Sequence, residues 1–313
     1  MSYRERLPQL DGDLFLADGG LETTLVFHRG IDLPVFAAFP LLDDERGAKE
    51  LKAYYEPYVA LARERGLGIV LESPTWRASP RWGQEVGYSA EQLDHVNRRA
   101  IALLEELRAA AGEDAPPIVI SGCVGPHDDA YNPSELLGAE DAQGYHSTQI
   151  NTFADTAADL VTAMTITYAE EAIGIVRAAR DADMPVVLSF TVETDGRLPS
   201  GQPLGAAIEE TDAATDSYAA YFMINCAHAT HFDGVLEPSA GWAARIRGVR
   251  ANASTMSHAE LDEATELDDG DPDDLGARYA ALRERLPHLN VLGGCCGTDQ
   301  RHVGAICDAV TAA

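Results

Sequence analysis

Short apolar runs alternate with longer amphipathic stretches along this chain. The runs are Leu14–Asp18 (LFLAD), Gly68–Ser73 (GIVLES), Pro117–Gly122 (PIVISG) and Asp159–Met164 (DLVTAM), then Pro185–Phe190 (PVVLSF), Tyr221–Cys226 (YFMINC), Ile246–Ala251 (IRGVRA) and Asn290–Gly294 (NVLGG). They are too continuously apolar for strands wetted on one side, so they predict parallel strands buried on both faces. Helical apolar spacing marks several of the segments between them, among them Arg46–Arg65, AEQLDHVNRRAIALLEELRAA, a stretch from near Ala142 and AEEAIGIVRAARDA. Eight such units in 313 residues predict an α/β fold, a (β/α)8 TIM barrel, as a single domain over residues 1–313. A doubly wound open sheet is the weaker reading, because no G-x-G-x-x-G follows the first run.

In such a barrel, chemistry gathers where strands end. Asp18 ends the first run and Glu72 the second; Cys123 falls just after the third. Asn225 and Cys226 end the sixth, Asn252 the seventh, and Cys295 and Cys296 the eighth. Three cysteines therefore converge on one mouth. Thiolates in that number suit zinc, with one position left open for a substrate. Gly293, Gly294 and Gly297 give the backbone room to turn two neighbouring side chains toward one ion. Two alternatives stand beside this reading. The cysteines are small core fillers, as expected for Cys123 and Cys307, or His228 closes the site as a fourth ligand, making it structural.

Composition narrows the partners. With 51 acidic against 23 basic residues the formal net charge is −28, which argues against nucleic acid and anionic membranes. Only Lys49 and Lys52 are lysines, a balance that fits a high-salt interior and predicts lower stability in dilute buffer. No run is long enough to span a membrane and the N-terminal residues have no apolar signal core, so a cytoplasmic protein is expected. An odd cysteine count in a chain of this size speaks against a disulfide framework. The acidic stretch His258–Leu275 reads as a solvated loop, with a lid over the mouth as the alternative. No G-x-S-x-G or H-E-x-x-H supports a hydrolase.

Several blocks resemble one family. DGGLETTL (Asp18–Leu25), SGCVGP (Ser121–Pro126), LSFTVE…GRLPSGQPL (Leu188–Leu204), INC (Ile224–Cys226) and GGCCGT (Gly293–Thr298) are similar, in order, to the homocysteine S-methyltransferases. The resemblance implies a zinc site made by Cys226, Cys295 and Cys296, with homocysteine as methyl acceptor and methionine as product. Carried over by motif, Asp18 orients the homocysteine amino group and Asn225 supports the metal loop, while Thr23 and Glu72 join the substrate site. Two departures stand out. Met164 occupies the place of a family glutamate, and GPHD (Gly125–Asp128) replaces GPYG, bringing His127 toward the donor side. A single barrel leaves no room for cobalamin or folate modules, so the expected donor is a small onium compound, S-methylmethionine or S-adenosylmethionine. Trp76, and less directly Phe190, would face that cation. Another thiol or selenol acceptor, and a non-catalytic zinc-stabilised binding barrel, are the competing functions.

Overall fold

The fold is known from a computed structural model that describes residues 2–112 and 114–312. Eight parallel strands close into a barrel in chain order. They are β1 (Phe15–Ala17), β2 (Gly68–Glu72), β3 (Ile118–Val124), β4 (Leu160–Ile166), β5 (Val186–Phe190), β6 (Tyr221–Asn225), β7 (Ile246–Ala251) and β8 (Val291–Gly294). All eight expected runs are strands. The boundaries shift at the mouth: β3 runs through Cys123, and β4 carries both Met164 and Thr165.

Nearly every strand residue is buried, as continuous apolar runs require when helices cover one face and the lumen fills the other. The period of two sorts the side chains. Phe15, Val70, Val119, Leu160, Val187, Tyr221, Met223 and Val291 meet inside the barrel. Leu16, Ile69, Leu71, Ile118, Ile120, Val161 and Leu188 face the helices. Two residues beyond the lumen set on the same strands come Glu72, Ser121, Thr162, Ser189 and Asn225. Alternation therefore delivers polar groups to the upper lumen without breaking the apolar run on the outer face.

Long helices follow seven of the strands: Glu45–Arg65, Ala90–Ala111, Ala139–Ala154, Ala169–Asp181, Leu204–Ala214, Pro272–Arg285 and Gln300–Thr311. Their starts are set locally. Asp44 accepts from Gly47 N at 2.7 Å, Ser89 and Gln92 form a capping box, and Asp299 caps the last helix. After β6 the regular alternation fails: the connection holds only the four-residue helix Ala229–Phe232 and short 3-10 turns.

The N-terminal end of the barrel is sealed. Leu7 packs into the lumen set, and Asn290 Nδ2 donates to Gln9 O and Asp13 O at 2.6 and 2.7 Å. Buried Asp159 accepts from Tyr3 N, Ile120 N and the Arg108 guanidinium at 2.7, 2.9 and 2.7 Å.

Candidate functional site

The opposite end opens into a cavity of about 400 Å³. On its wall three sulfurs meet. Cys295 Sγ lies 3.0 Å from Cys226 Sγ, and Cys226 Sγ lies 3.5 Å from Cys296 Sγ. Three thiolates around one tetrahedral zinc, with Zn–S near 2.3 Å, stand about 3.8 Å apart. The trio is thus slightly tighter than a zinc site needs, and its donor set fits that ion. Among the described residues no histidine or carboxylate completes the group. His228, considered as a fourth ligand, is turned away: its Nδ1 pairs with Thr230 Oγ1 at 2.8 Å and caps the short helix after β6.

The backbone is bent to bring these sulfurs together. Cys226 has φ +58°, a left-handed conformation that L-residues adopt at a cost of about 1 kcal/mol or more. Asn225 holds the bend. Its Oδ1 accepts from Thr165 N (2.9 Å) and Ser189 Oγ (2.7 Å), and its Nδ2 donates to Thr165 Oγ1 (2.8 Å). Thr165, at φ +63°, is itself left-handed, so two strained residues brace each other across one side-chain amide. On the other side of the pair, Gly297 takes φ +78°, and Thr23 Oγ1 accepts from its N–H at 3.1 Å. Gly20 closes the contact with Asp18–Leu21, since a Cβ there would sit 2.6 Å from Cys295 O. Thr23 and Gly20 therefore anchor the cysteine loop. Gly293 and Gly294 have no positive φ, so the turn predicted for all three glycines falls on Gly297 alone.

Mutual hydrogen bonding in the trio depresses the Cys295 thiol, helped by Arg250, while Cys226 and Cys296 are raised. The three sulfurs hydrogen-bond one another, and a cation placed among them would take over the role of the shared protons. Tyr131 caps it: its Oη lies 3.2 Å from Cys226 Sγ and 3.8 Å from Cys296 Sγ. The Tyr131 ring stacks on His258 (4.1 Å between centroids), whose Nε2 donates to Cys226 O at 2.7 Å.

Beside the sulfurs is a charged floor. Arg250, on β7, reaches Asp18 at 2.6 Å and donates to Gly19 O and Gly294 O. Tyr54 Oη donates to the other Asp18 oxygen at 3.0 Å. Burial lifts the Asp18 carboxyl above its ordinary value against the pull of Arg250. Glu72 differs, because its Oε2 is buried with no partner and burial pushes its carboxyl up to about 7. Cys123 also lines the cavity, from within β3, with burial raising its thiol; it faces the site rather than filling the outer core.

Position sorts the remaining expectations. Trp76 lines the cavity, but the Arg77 guanidinium covers a face of its ring at 4.5 Å, and its indole N–H donates to Met164 O at 3.2 Å. Phe190 is buried in the outer core, stacked near Phe222. His127 lies off the cavity, edge-on to Tyr145. The acidic stretch 258–275 is mostly exposed, as expected of a solvated segment, but it is tethered at several points. His258 is buried, Ser254 Oγ donates to Asp268 at 2.6 Å, Arg301 pairs with Asp269 at 2.7 Å, and Leu261, Asp262 and Glu266 line the cavity.

A parallel barrel whose C-terminal mouth gathers three cysteines defines a thiol-rich, metal-suited site. The family model for homocysteine S-methyltransferase matches residues 15–310, and the chain belongs to that family of enzymes. Among solved structures it is similar to the homocysteine methyltransferase MmuM from Escherichia coli. The metallated form aligns with TM-score 0.74 at 18% identity, covering 97% of each chain. The oxidised form aligns with TM-score 0.75 at 19% identity, covering 96% of this chain and 99% of that one. These likenesses establish the shared fold. No curated protein matches the chain. Among the described residues, no helix is long and apolar enough to cross a membrane.

Proposed function

We propose that residues 1–313 form one homocysteine S-methyltransferase unit that moves a methyl group from a small onium donor to the homocysteine thiolate. In that reaction the new S–CH3 bond forms as the donor's bond to the methyl breaks. The electron pair stays on the donor, and the products are methionine and a neutral thioether or amine. The observation that carries this reading is the trio Cys226, Cys295 and Cys296, packed within reach of one ion on the wall of a closed-ended cavity. Zn2+ bound there would supply the positive charge that strips the acceptor thiol of its proton and orients it.

The chain's own groups do the rest. Asn225 fixes the loop that presents Cys226. Glu72, with an unpartnered oxygen, takes the acceptor ammonium, and Asp18 adds a second carboxylate at the same floor. The pairing gives Glu72 the charge role left empty at Met164. Tyr131 covers the sulfurs on the cavity side and keeps water off them. Seven acidic side chains line the cavity, a field that draws a sulfonium or quaternary ammonium donor. Trp76 lines that donor's pocket, with Arg77 over one face of its ring.

Met164 on the cavity wall favours one rival, a different thiol or selenol acceptor. A donor panel separates them. S-methylmethionine, S-adenosylmethionine and betaine are each incubated with homocysteine and scored for methionine, with zinc quantified on the same sample. Methionine from an onium donor at about one zinc per chain is the expected result. Zinc-free protein that is indifferent to chelators, or turnover of other thiols alone, overturns it.

A further inference from the structure

The cavity holds a cation that the reaction above leaves idle. Its lining includes two arginines, Arg250 and Arg77. Arg250 is engaged by Asp18 and two carbonyls, with Nη1 alone left unpartnered. Arg77 has no ion pair among the described residues, and its Nε and Nη1 are buried without an acceptor. An unpaired guanidinium N–H removed from water costs on the order of 1–3 kcal/mol or more, a cost that an arriving acceptor would relieve.

The group is also held rigidly. Its guanidinium sits 3.4 Å from the centroid of the Trp82 ring and 4.5 Å from that of Trp76. Both indoles are locked, Trp76 Nε1 on Met164 O and Trp82 Nε1 on Pro126 O, each at 3.2 Å. Burial draws the Arg77 pKa down to about 10, which leaves it charged at neutral pH. The nearby carboxylates do not satisfy it. Asp129 Oδ1 is taken by Tyr131 N and Asn132 N at 2.9 and 2.8 Å, and burial raises the half-buried Glu22 to about 7.

The geometry points to Arg77 as a carboxylate receptor, which selects zwitterionic substrates carrying an anionic carboxylate beside the reacting onium or thiol. A planar guanidinium meets a carboxylate in bidentate fashion along its Nε/Nη2 or its Nη1/Nη2 edge, so either orphaned nitrogen would act together with Nη2. The seven acidic residues around it make a doubly charged phosphate a poor guest. The assignment rests on the methyl-transfer reading only for the identity of the reacting groups.

Binding, not turnover, tests it. Calorimetry on the zinc-loaded enzyme compares (2-carboxyethyl)dimethylsulfonium with dimethylpropylsulfonium, and homocysteine with 3-aminopropanethiol. Wild type is expected to prefer the carboxylate member about 10- to 100-fold in one pair. The pair that shows the preference tells whether donor or acceptor docks there. Arg77→Met, which keeps a long chain between the two tryptophans, should erase the preference, and Arg77→Lys should keep part of it. Circular dichroism verifies that both variants are folded. No preference in either pair for wild type, or a preference that survives in Arg77→Met, overturns the assignment. Preference without any methionine formation in the donor panel overturns the reaction and leaves the receptor standing.

Discussion

The two ends of this barrel treat buried charge in opposite ways. At the N-terminal end Asp159 is fully buried and accepts three hydrogen bonds, one from an arginine. At the C-terminal end Glu72 is almost as buried and keeps an oxygen with no partner, while Arg77 keeps two orphaned N–H groups. Satisfied groups of this kind hold a fold together. Unsatisfied charges that line a cavity are open to completion by a ligand. The same barrel therefore pairs its buried charge at one end and leaves buried charge open to ligands at the other.

The sharpest way to break this contrast is at the sulfurs. Cys226→Ala, Cys295→Ala and Cys296→Ala should each lose stoichiometric zinc and lower turnover by at least about 10³-fold, while circular dichroism stays that of a folded barrel. Asp159→Ala should do the reverse. Leaving Arg108 and two backbone N–H groups without their carboxylate costs about 3–5 kcal/mol in urea unfolding, with zinc content unchanged.

Glu72→Gln tests the mouth through pH. Because its folded pKa, about 7, lies above the ordinary 4.5, the protonated folded form is favoured. The stability it contributes is full below about 4.5 and is lost as pH rises through 7. Relative to wild type, the variant should be unchanged near pH 4.5 and gain up to about 3 kcal/mol at pH 8, read by urea unfolding at both values. The smallest effect belongs to Tyr131→Phe. Removing one O–H beside Cys226 should weaken zinc retention only a few-fold in chelator competition, an energy of about 1 kcal/mol or less.

Much of this was legible from the chain itself. Continuous apolar runs can only be strands buried on both sides, and eight of them close into a barrel whose strand ends are known in advance. The cysteines stood out because two neighbours followed by glycine make poor packing. Isolated polar residues were harder. Arg250 lies inside IRGVRA, and nothing in its local pattern says that it points inward. Its register becomes visible only in the folded barrel, where it pairs with Asp18 across the mouth. Tyr131, Arg77 and His258 sit in connections without periodicity, so only the folded chain brings Arg77 to the cavity and Tyr131 and His258 to the cysteines. The helix expected after β6 is reduced to one turn because Leu236–Arg245 follows no 3.6-residue pattern.

The left-handed turn at Cys226 carries a cost for any lineage that keeps this site. Glycine would sit there without strain, and a Cys226→Gly chain is expected to melt no lower than Cys226→Ala. The residue the backbone would choose and the residue the chemistry requires are different. A drift toward greater thermal robustness at this one position would therefore silence the enzyme, and only continued selection for turnover holds the sulfur in place.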